Sequence, residues 1–408
     1  MLHDIAKRCL KCKVPQCKKF CPVSTPVPDV IRLFEEEKER EAQELLFANN
    51  PLSAVCAIVC PHERNCWGHC VLGKKSEPIE FFKIEQYLSG KFLGDYNPPV
   101  IERNNIDVAV VGAGPAGITM SILLSLKGFQ VTLMEARDKI GGVLRYGIPE
   151  FRLPKSIVDH YEIILRKLCV RFKPNTFIGS SITLDDMFID GYKAVFIASG
   201  TAKPNKLGLL GETLGNVYYA IDYLKSPEAY PRGKNIVVVG AGNVALDAAR
   251  MAARRRESGG SVTIVNSLPE EEMTGNRQEI AEAAEEGVTF VHLLQTVKLE
   301  KDRVKCVAVN VLQTDDGKVY EEDFSRVTDI PADCIIVAIG QGPQGAVITE
   351  SNVSKTRRGL VEADENGHTS SPGVFAAGDI VTGPKTVAEA VAFAKKVAGE
   401  IEKYCLET

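Results

Sequence analysis

The chain has 408 residues, enough for two or three domains that each bury a core, with 45% of its side chains apolar and 25% charged. Its 49 basic and 53 acidic residues leave a net charge of −4, which gives no electrostatic basis for binding nucleic acid or an anionic membrane. The longest apolar runs, such as Val108–Val111 and Ile335–Ile339, are strand-sized and too short to span a bilayer, and Met-Leu-His-Asp is no secretory signal, so a cytoplasmic protein is expected.

Eight of the twelve cysteines fall between Cys9 and Cys70. The first group reads Cys9-x2-Cys12-x4-Cys17-x3-Cys21-Pro22, and the second Cys56-x3-Cys60-Pro61-x4-Cys66-x3-Cys70. In a reducing compartment such clustering points to metal ligands rather than disulfides. The spacing is that of ferredoxin-type iron–sulfur ligation, in which the cysteine before proline serves the other cluster. Cys9, Cys12 and Cys17 are therefore three corners of one [4Fe–4S] centre, Cys21 belongs to a second, and the Cys56–Cys70 group must complete both. Structural zinc is the competing reading, but it favours paired CxxC or cysteine–histidine sets, and in these two groups only Cys9 and Cys12 form a CxxC. His62 and His69 read as surface or backbone hydrogen-bonding residues, and Trp67 as a shield for a cluster or a packing residue. Cys169, Cys306, Cys334 and Cys405 are scattered and read as small hydrophobes.

Between the cysteine groups, one helix is expected from about Asp29, after Pro28, to the stop at Asn49-Asn50-Pro51. Val30, Leu33, Phe34, Leu45 and Leu46 would form its buried face, and Glu35–Glu41 its solvated one. Asn97-Pro98-Pro99 and Asn104-Asn105 mark a linker.

A β-branched strand, Ile106–Val111, then runs into Gly112-Ala113-Gly114-Pro115-Ala116-Gly117 and a helical pattern to about Lys127. A second strand, Gln130–Met134, ends at Glu135. This is the dinucleotide fingerprint. The first glycine permits the tight turn, the second lets backbone approach a pyrophosphate, and the third lets helix pack on strand. The unpaired N–H groups opening the helix suit phosphate, and Glu135 stands where a carboxylate accepts from ribose hydroxyls. The pattern recurs as strand Asn235–Val239, turn Gly240-Ala241-Gly242-Asn243-Val244-Ala245, a helix to about Arg256 and strand Ser261–Val265. Alanine in the third position is an accepted variant.

On these motifs, in this order, the chain resembles the glutamate synthase small subunit and its relatives over essentially its whole length. Those relatives include the amino-terminal half of dihydropyrimidine dehydrogenase and the flavin subunits of ferredoxin–nicotinamide oxidoreductase complexes. The resemblance implies an α/β protein with two nested Rossmann-like nucleotide-binding domains, preceded by a helical domain carrying two [4Fe–4S] clusters. The implied boundaries are 1–104 for the iron–sulfur domain, 105–200 with 336–408 for FAD, and 201–335 for an inserted NAD(P)H domain. Gly141–Pro149 through Arg152-Leu153-Pro154 resembles the loop beside the flavin. Ala194–Ser199 with Gly200-Thr201 resembles the strand leaving the FAD fold, and Ile335–Ile339 with Gly340 the strand returning to it. Gly373–Asp379 resembles the segment whose aspartate meets the ribityl chain, and Thr386-Val387 opens a helix aimed at the isoalloxazine. The implied cofactor contacts are Gly112, Gly114, Pro115, Ala116, Gly117, Glu135, Ala136, Arg137, Gly142, Val143, Arg152, Ile178, Gly378, Asp379, Thr386 and Val387. To these are added Gly240, Gly242, Asn243, Val244, Asn266, Ser267, Ala338 and Gly340.

By the same resemblance Cys70 completes the first cluster, while Cys60 and Cys66 join Cys21 on the second. Gln86 matches the position of a glutamine that is its fourth ligand in dihydropyrimidine dehydrogenase, and Cys56 is the rival. NADPH-dependent relatives carry paired arginines after the second strand of the inserted fold. Here Asn266-Ser267-Leu268-Pro269-Glu270-Glu271-Glu272 stands there, so NADH is expected over NADPH, with Arg277 and Arg254-Arg255-Arg256 as the basic residues that a 2′-phosphate would have to use.

No stretch follows the final helix that is large enough for a separate substrate domain. The expected role is thus an FAD- and iron–sulfur-dependent NAD(P)H oxidoreductase module exchanging electrons with a partner subunit docked near the iron–sulfur segment. Two alternatives are a flavin disulfide reductase, for which residues 106–408 lack the redox CxxC, and a non-catalytic assembly subunit, against which both intact fingerprints argue.

Overall fold

In the computed structural model, which describes residues 1–179, 182–314, 317–345 and 352–407, the cysteine-rich segment is a set of short helices. They are α1 (Leu2–Lys7), α2 (Gln16–Lys19), α3 (Val27–Glu35), α4 (Glu39–Asn49), α5 (Ser53–Val59) and α6 (Phe81–Gly94). Val30, Ile31, Phe34, Ala42, Leu46, Ile84 and Leu88 recur at helical spacing and close one apolar core. The single helix expected from Asp29 to Asn49 is two, because the chain turns between Glu35 and Glu39 with Glu37 at φ 58°. Three successive carboxylates repel along a continuous helix. The turn separates them and lets Arg32 and Lys38 both reach Glu36, at 3.2 and 2.8 Å. Leu45, expected inside, is only half-buried.

The first nucleotide fold follows as β1 (Asp107–Val111), α7 (Pro115–Leu126), β2 (Gln130–Met134), α8 (Val143–Tyr146), α9 (Lys155–Lys167), β3 (Arg171–Lys173), α10 (Leu184–Ile189) and β4 (Ala194–Ile197). The chain then runs through β5 (Lys203–Pro204), β6 (Val217–Tyr219), α11 (Ala220–Lys225), β7 (Asn235–Val239), α12 (Asn243–Arg255), β8 (Ser261–Val265), α13 (Arg277–Glu285) and β9 (Val288–Val291). An antiparallel meander, β10 (Leu294–Leu299), β11 (Arg303–Thr314) and β12 (Gly317–Pro331), leads to β13 (Cys334–Val337) and β14 (Gln341–Gly342). Last come β15 (Val374–Ala376), α14 (Asp379–Thr382) and α15 (Val387–Glu407).

Two five-stranded sheets result, ordered β15-β4-β1-β2-β3 and β6-β13-β7-β8-β9, with every neighbouring pair parallel. Each is wound in both directions from its fingerprint strand. The strand order therefore reverses beside β1 in one sheet and β7 in the other, where α/β sheets hold ligands. Side chains alternate between faces: Ile236, Val238, Val262 and Ile264 pack with the alanines of α12, while Val237, Val239, Val265, Ile335 and Val337 pack with Leu299, Val304 and Cys306.

By contact the chain divides into Met1–Arg145, Glu150–Thr201 and Pro343–Thr408 as one unit, and Tyr146–Pro149 with Ala202–Gly342 as the other. The iron–sulfur helices thus share a unit with the first sheet. The strand expected to return to that sheet, Ile335–Ile339, instead lies in the second, between β6 and β7. Its fully buried β-branched run needs strands on both sides, and β7 offers the vacant edge beside its own fingerprint turn. The boundary expected at 335/336 accordingly falls at 342/343.

Candidate active site and iron–sulfur cavities

The two glycine-rich turns are built alike. Gly112, at φ 103°, donates to the Met134 carbonyl at 2.8 Å, and a Cβ on it would lie 2.5 Å from the Ala198 oxygen. Gly240, at φ 153°, donates to the Val265 carbonyl at 3.0 Å, and a Cβ there would collide with the Ala338 oxygen. Ala198 and Ala338 donate in turn to Val111 and Val239, each at 2.8 Å. Ala338 and Gly340 therefore belong beside the second turn, since they follow β13.

Gly114 and Gly242 are the N-caps of α7 and α12, with Pro115 and Asn243 as first helical residues. Gly117 allows α7 to lie on β1, because a Cβ would strike the Gly112 carbonyl. Ala116 is buried against Gly378, and a Cβ on Gly142 (φ 51°) would lie 2.8 Å from the Gly114 Cα. These close approaches leave a cradle for a pyrophosphate that side chains would fill. Ser199 and Thr201, just after β4, carry buried hydroxyls with no hydrogen-bond partner, as groups awaiting a ligand would.

Glu135 accepts from the Ala113 N–H at 2.7 Å and the Arg137 N–H at 3.0 Å, so the carboxylate first holds the turn itself. Each oxygen keeps a lone pair for a ribose hydroxyl. Ala136 and Val143 are exposed, Arg137 and Arg152 half-buried, and Ile178 is buried in the core of the first sheet. Asp379 follows Gly378 at φ 79° and accepts from the Lys385 N–H at 3.2 Å; burial pushes its carboxyl up to about 6. Thr386 and Glu389 form reciprocal bonds at the start of α15, fixing Val387 as its first residue.

In the second fold, Asn243 accepts from the Asn276 N–H at 2.8 Å and Val244 packs on the α12 core. Buried Asn266 accepts from the Leu268 N–H at 3.0 Å, with half-buried Ser267 beside it. Arg254 pairs with Glu286 at 2.7 Å, Arg255 with Glu228 at 3.4 Å, and Arg256 donates to the Ala253 carbonyl at 2.7 Å. All three of these basic residues are thus engaged locally. Glu272 is bound by Lys318 and Tyr320.

The cysteines line two clefts. Cys9, Cys12, Cys17 and Cys70 line one, together with Cys66. Cys21, Cys56, Cys60, Cys66 and Glu85 line the other. Cys66 is common to both. Among the described residues no three His, Cys, Asp or Glu side chains converge as they would on a single ion. Five cysteines line the first cleft and four line the second, a thiol-rich lining of the kind iron–sulfur ligation uses. Burial pushes the Cys17 thiol up to about 11, the Cys60 thiol up to about 12, and those of Cys56 and Cys66 well above their usual range. A thiol that ligates a cluster gives up its proton on loading.

Gln86, the expected eighth ligand, is exposed on α6 and does not face the second cleft. Its neighbour Glu85 does, buried to 6% exposure. A helix turns each residue by about 100° from the last, so these two neighbours on α6 meet cleft and solvent respectively. Sequence reading also missed Asn65, whose amide donates to the Cys60 sulfur at 3.0 Å, and Thr25, 3.3 Å from that of Cys21. His62 lines the second cleft too; burial pushes its imidazole down to about 4, and it stacks on Phe82. Ala388, in the first turn of α15, completes that wall.

Paired nucleotide folds with a cysteine-lined annex define an electron-transfer oxidoreductase that uses a flavin and a pyridine nucleotide. The family model for pyridine nucleotide-disulphide oxidoreductases matches residues 106–394, and that for dihydropyrimidine dehydrogenase domain II, 4Fe-4S cluster, matches residues 2–95. The glutamate synthase [NADPH] small chain of Escherichia coli is 32% identical over 97% of this chain and 90% of its own length. That of Azospirillum brasilense is 32% identical over 98% and 89%, and the NADP(+)-dependent formate dehydrogenase subunit beta of Moorella thermoacetica 30% over 95% and 59%. The chain belongs to the glutamate synthase small-chain family of pyridine nucleotide-disulphide oxidoreductases. Among solved structures, Mycobacterium tuberculosis FprA in complex with NADPH aligns with a TM-score of 0.64 at 18% identity, over 74% of this chain and 85% of that one. Lactococcus lactis thioredoxin reductase aligns at 0.58 and 21%, over 74% and 100%; both share the fold. No helix of the described residues is long and apolar enough to cross a membrane.

Proposed function

We propose that this chain takes electron pairs from a reduced nicotinamide and passes them singly to a partner protein, through two [4Fe–4S] centres. Bound FAD would accept the hydride, and the clusters would carry the electrons one at a time. The observation that carries this reading is the position of Ala388. It stands one residue into the helix aimed at the flavin and also lines the cleft of Cys21, Cys60 and Cys66. Cys66 joins that cleft to the next, so the order flavin, second cleft, first cleft follows from shared walls. In this reading Gly112, Gly114, Gly117 and Gly142 admit the flavin pyrophosphate, and Glu135 orients its ribose. Cys9, Cys12, Cys17 and Cys70 hold one cluster, while Cys21, Cys60, Cys66 and Glu85 hold the other. Asn65 and Thr25 would donate to ligand sulfurs and raise that potential. Gly240 and Gly242 admit the nicotinamide dinucleotide. Anaerobic mixing of reconstituted protein with NADH or NADPH tests the reading: flavin absorbance should bleach and cluster signals follow. Bound flavin that neither nucleotide bleaches would refute it.

NADH is the preferred donor in this proposal. Asn266 and Ser267 replace the arginine pair, and Arg254, Arg255 and Arg256 are occupied by local acceptors. A 2′-phosphate would meet Glu270, Glu271 and Glu272, with Arg277 the first basic residue after them in sequence and Lys318 already held by Glu272. The kcat/KM ratio decides it, and a higher value with NADPH that Arg277→Ala removes would reverse the assignment.

A further inference from the structure

The surface over the first cysteine cleft carries a charge opposite to that of the whole chain. Residues 1–20 hold Lys7, Arg8, Lys11, Lys13, Lys18 and Lys19 against Asp4 alone, although the net charge is −4. All six are exposed. Lys11 is held by Glu35 at 2.6 Å and Arg8 donates to the Glu77 carbonyl. Lys7, Lys13, Lys18 and Lys19 form no salt bridge among the described residues. Between them stand Leu10, Val14 and Phe20, at 61%, 72% and 42% exposure. Leu10 also lines the cleft of Cys9, Cys12, Cys17 and Cys70, so the exposed patch borders that cleft directly. An apolar centre rimmed by uncompensated charge of one sign suits a short-lived encounter steered by electrostatics.

Resting on the electron-transfer reading above, we propose that this face docks an acidic one-electron carrier protein. Carboxylates of the carrier meet Lys7, Lys13, Lys18 and Lys19, and its redox centre comes over Leu10 and Val14. No bond forms or breaks in the encounter. One electron leaves the chain and reduces the carrier, and two encounters account for one reduced nicotinamide, which releases one proton.

The probes are two haem proteins of opposite charge, acidic cytochrome b5 and basic cytochrome c, mixed anaerobically with NADH-reduced holoprotein. The second-order rate with cytochrome b5 should exceed that with cytochrome c at low salt. It should fall at least ~10-fold between roughly 20 and 500 mM ionic strength as screening removes the steering. The triple variant Lys13→Glu, Lys18→Glu, Lys19→Glu should lose about 10-fold with cytochrome b5 at low salt and gain with cytochrome c. Its flavin reduction by NADH, read without acceptor, should stay within about two-fold, because these lysines are exposed and lie outside both nucleotide turns. A rate with cytochrome b5 that is flat or rises with salt in the unmodified holoprotein overturns the proposal, whether or not the variant folds. So does binding to phosphatidylglycerol vesicles with a salt-insensitive cytochrome b5 rate. Failure of the flavin to bleach at all sinks the catalytic reading instead, and is seen before any acceptor is added.

Discussion

Glu85 and Gln86 are neighbours on α6 that meet different surroundings: the carboxylate is buried against the second cysteine cleft and the amide lies in solvent. Glu85→Ala should alter or abolish one of the two cluster signals in the EPR spectrum of reduced protein. Gln86→Ala should leave both unchanged. Cys56→Ala should also leave them, although Cys56 lines the same cleft; loss of a signal there would make the thiol the ligand.

The paired contacts of Gly112 with Ala198 and Gly240 with Ala338 give a separable pair of outcomes. A methyl group at either glycine meets backbone, which cannot move aside, and the positive φ adds strain of about 1–3 kcal/mol. Gly112→Ala should lower the flavin content of purified protein. Gly240→Ala should keep flavin but reduce its bleaching by nicotinamide at least ~100-fold, a loss of about 3 kcal/mol. Flavin content and stopped-flow absorbance measure the two.

Asp379 predicts an unusual pH response. Burial raises its carboxyl from 3.8 to about 6, so the folded chain holds this proton more tightly than the unfolded one. Between those values the native state binds more protons, and stability falls as pH rises. Above about 6 the fold carries the full cost of the buried charge, on the order of 2 kcal/mol after allowance for partial exposure. Asp379→Asn should therefore stabilise flavin-free protein at pH 7.5, by about half as much at pH 5 and hardly at all near pH 3.5, measured by urea denaturation. An equal effect at all three pH values would show that charge is not the cause.

Arg250 of α12 is buried between Glu282, at 2.7 Å, and Glu286, also at 2.7 Å. Removing it takes a buried cation away from Glu282 of α13 and from Glu286 just past its end, which keeps only Arg254 of its two arginine partners. Arg250→Ala should destabilise the second unit by about 3 kcal/mol, whereas Glu282→Gln, which leaves Glu286 in place, should cost about 1 kcal/mol. Thermal unfolding of each variant measures both.

The strands bordering the two fingerprints were legible because their signals are local. Val108–Val111, Gln130–Met134, Asn235–Val239 and Ser261–Val265 are short β-branched runs next to glycines whose spacing has one use. The ferredoxin-type spacing separates Cys9, Cys12 and Cys17 from Cys21, and these thiols line different clefts; that Cys66 borders both is not legible in the spacing. What failed depends on partners distant in sequence. Whether Ile335–Ile339 pairs with β1 or β7 is decided by which edge is vacant, and the run itself suits either. The turn at Glu37 answers to the packing of Leu33 and Leu46 in one core. The choice between Glu85 and Gln86 rests on the helical phase of α6, which Ile84 and Leu88 set by burying themselves.

The second unit enters through Lys203–Pro204 and leaves through Gln341–Gly342, and those two segments are hydrogen-bonded to each other as β5 and β14. Asn205 tightens the junction by donating to the carbonyls of Gly340 and Ile339, at 3.1 and 3.4 Å. Its ends being clasped together, the intervening polypeptide is a cassette: it can be cut out at 202 and 342 and replaced by a counterpart with arginines after its second strand. Such a graft would change the coenzyme while leaving the iron–sulfur ligands untouched.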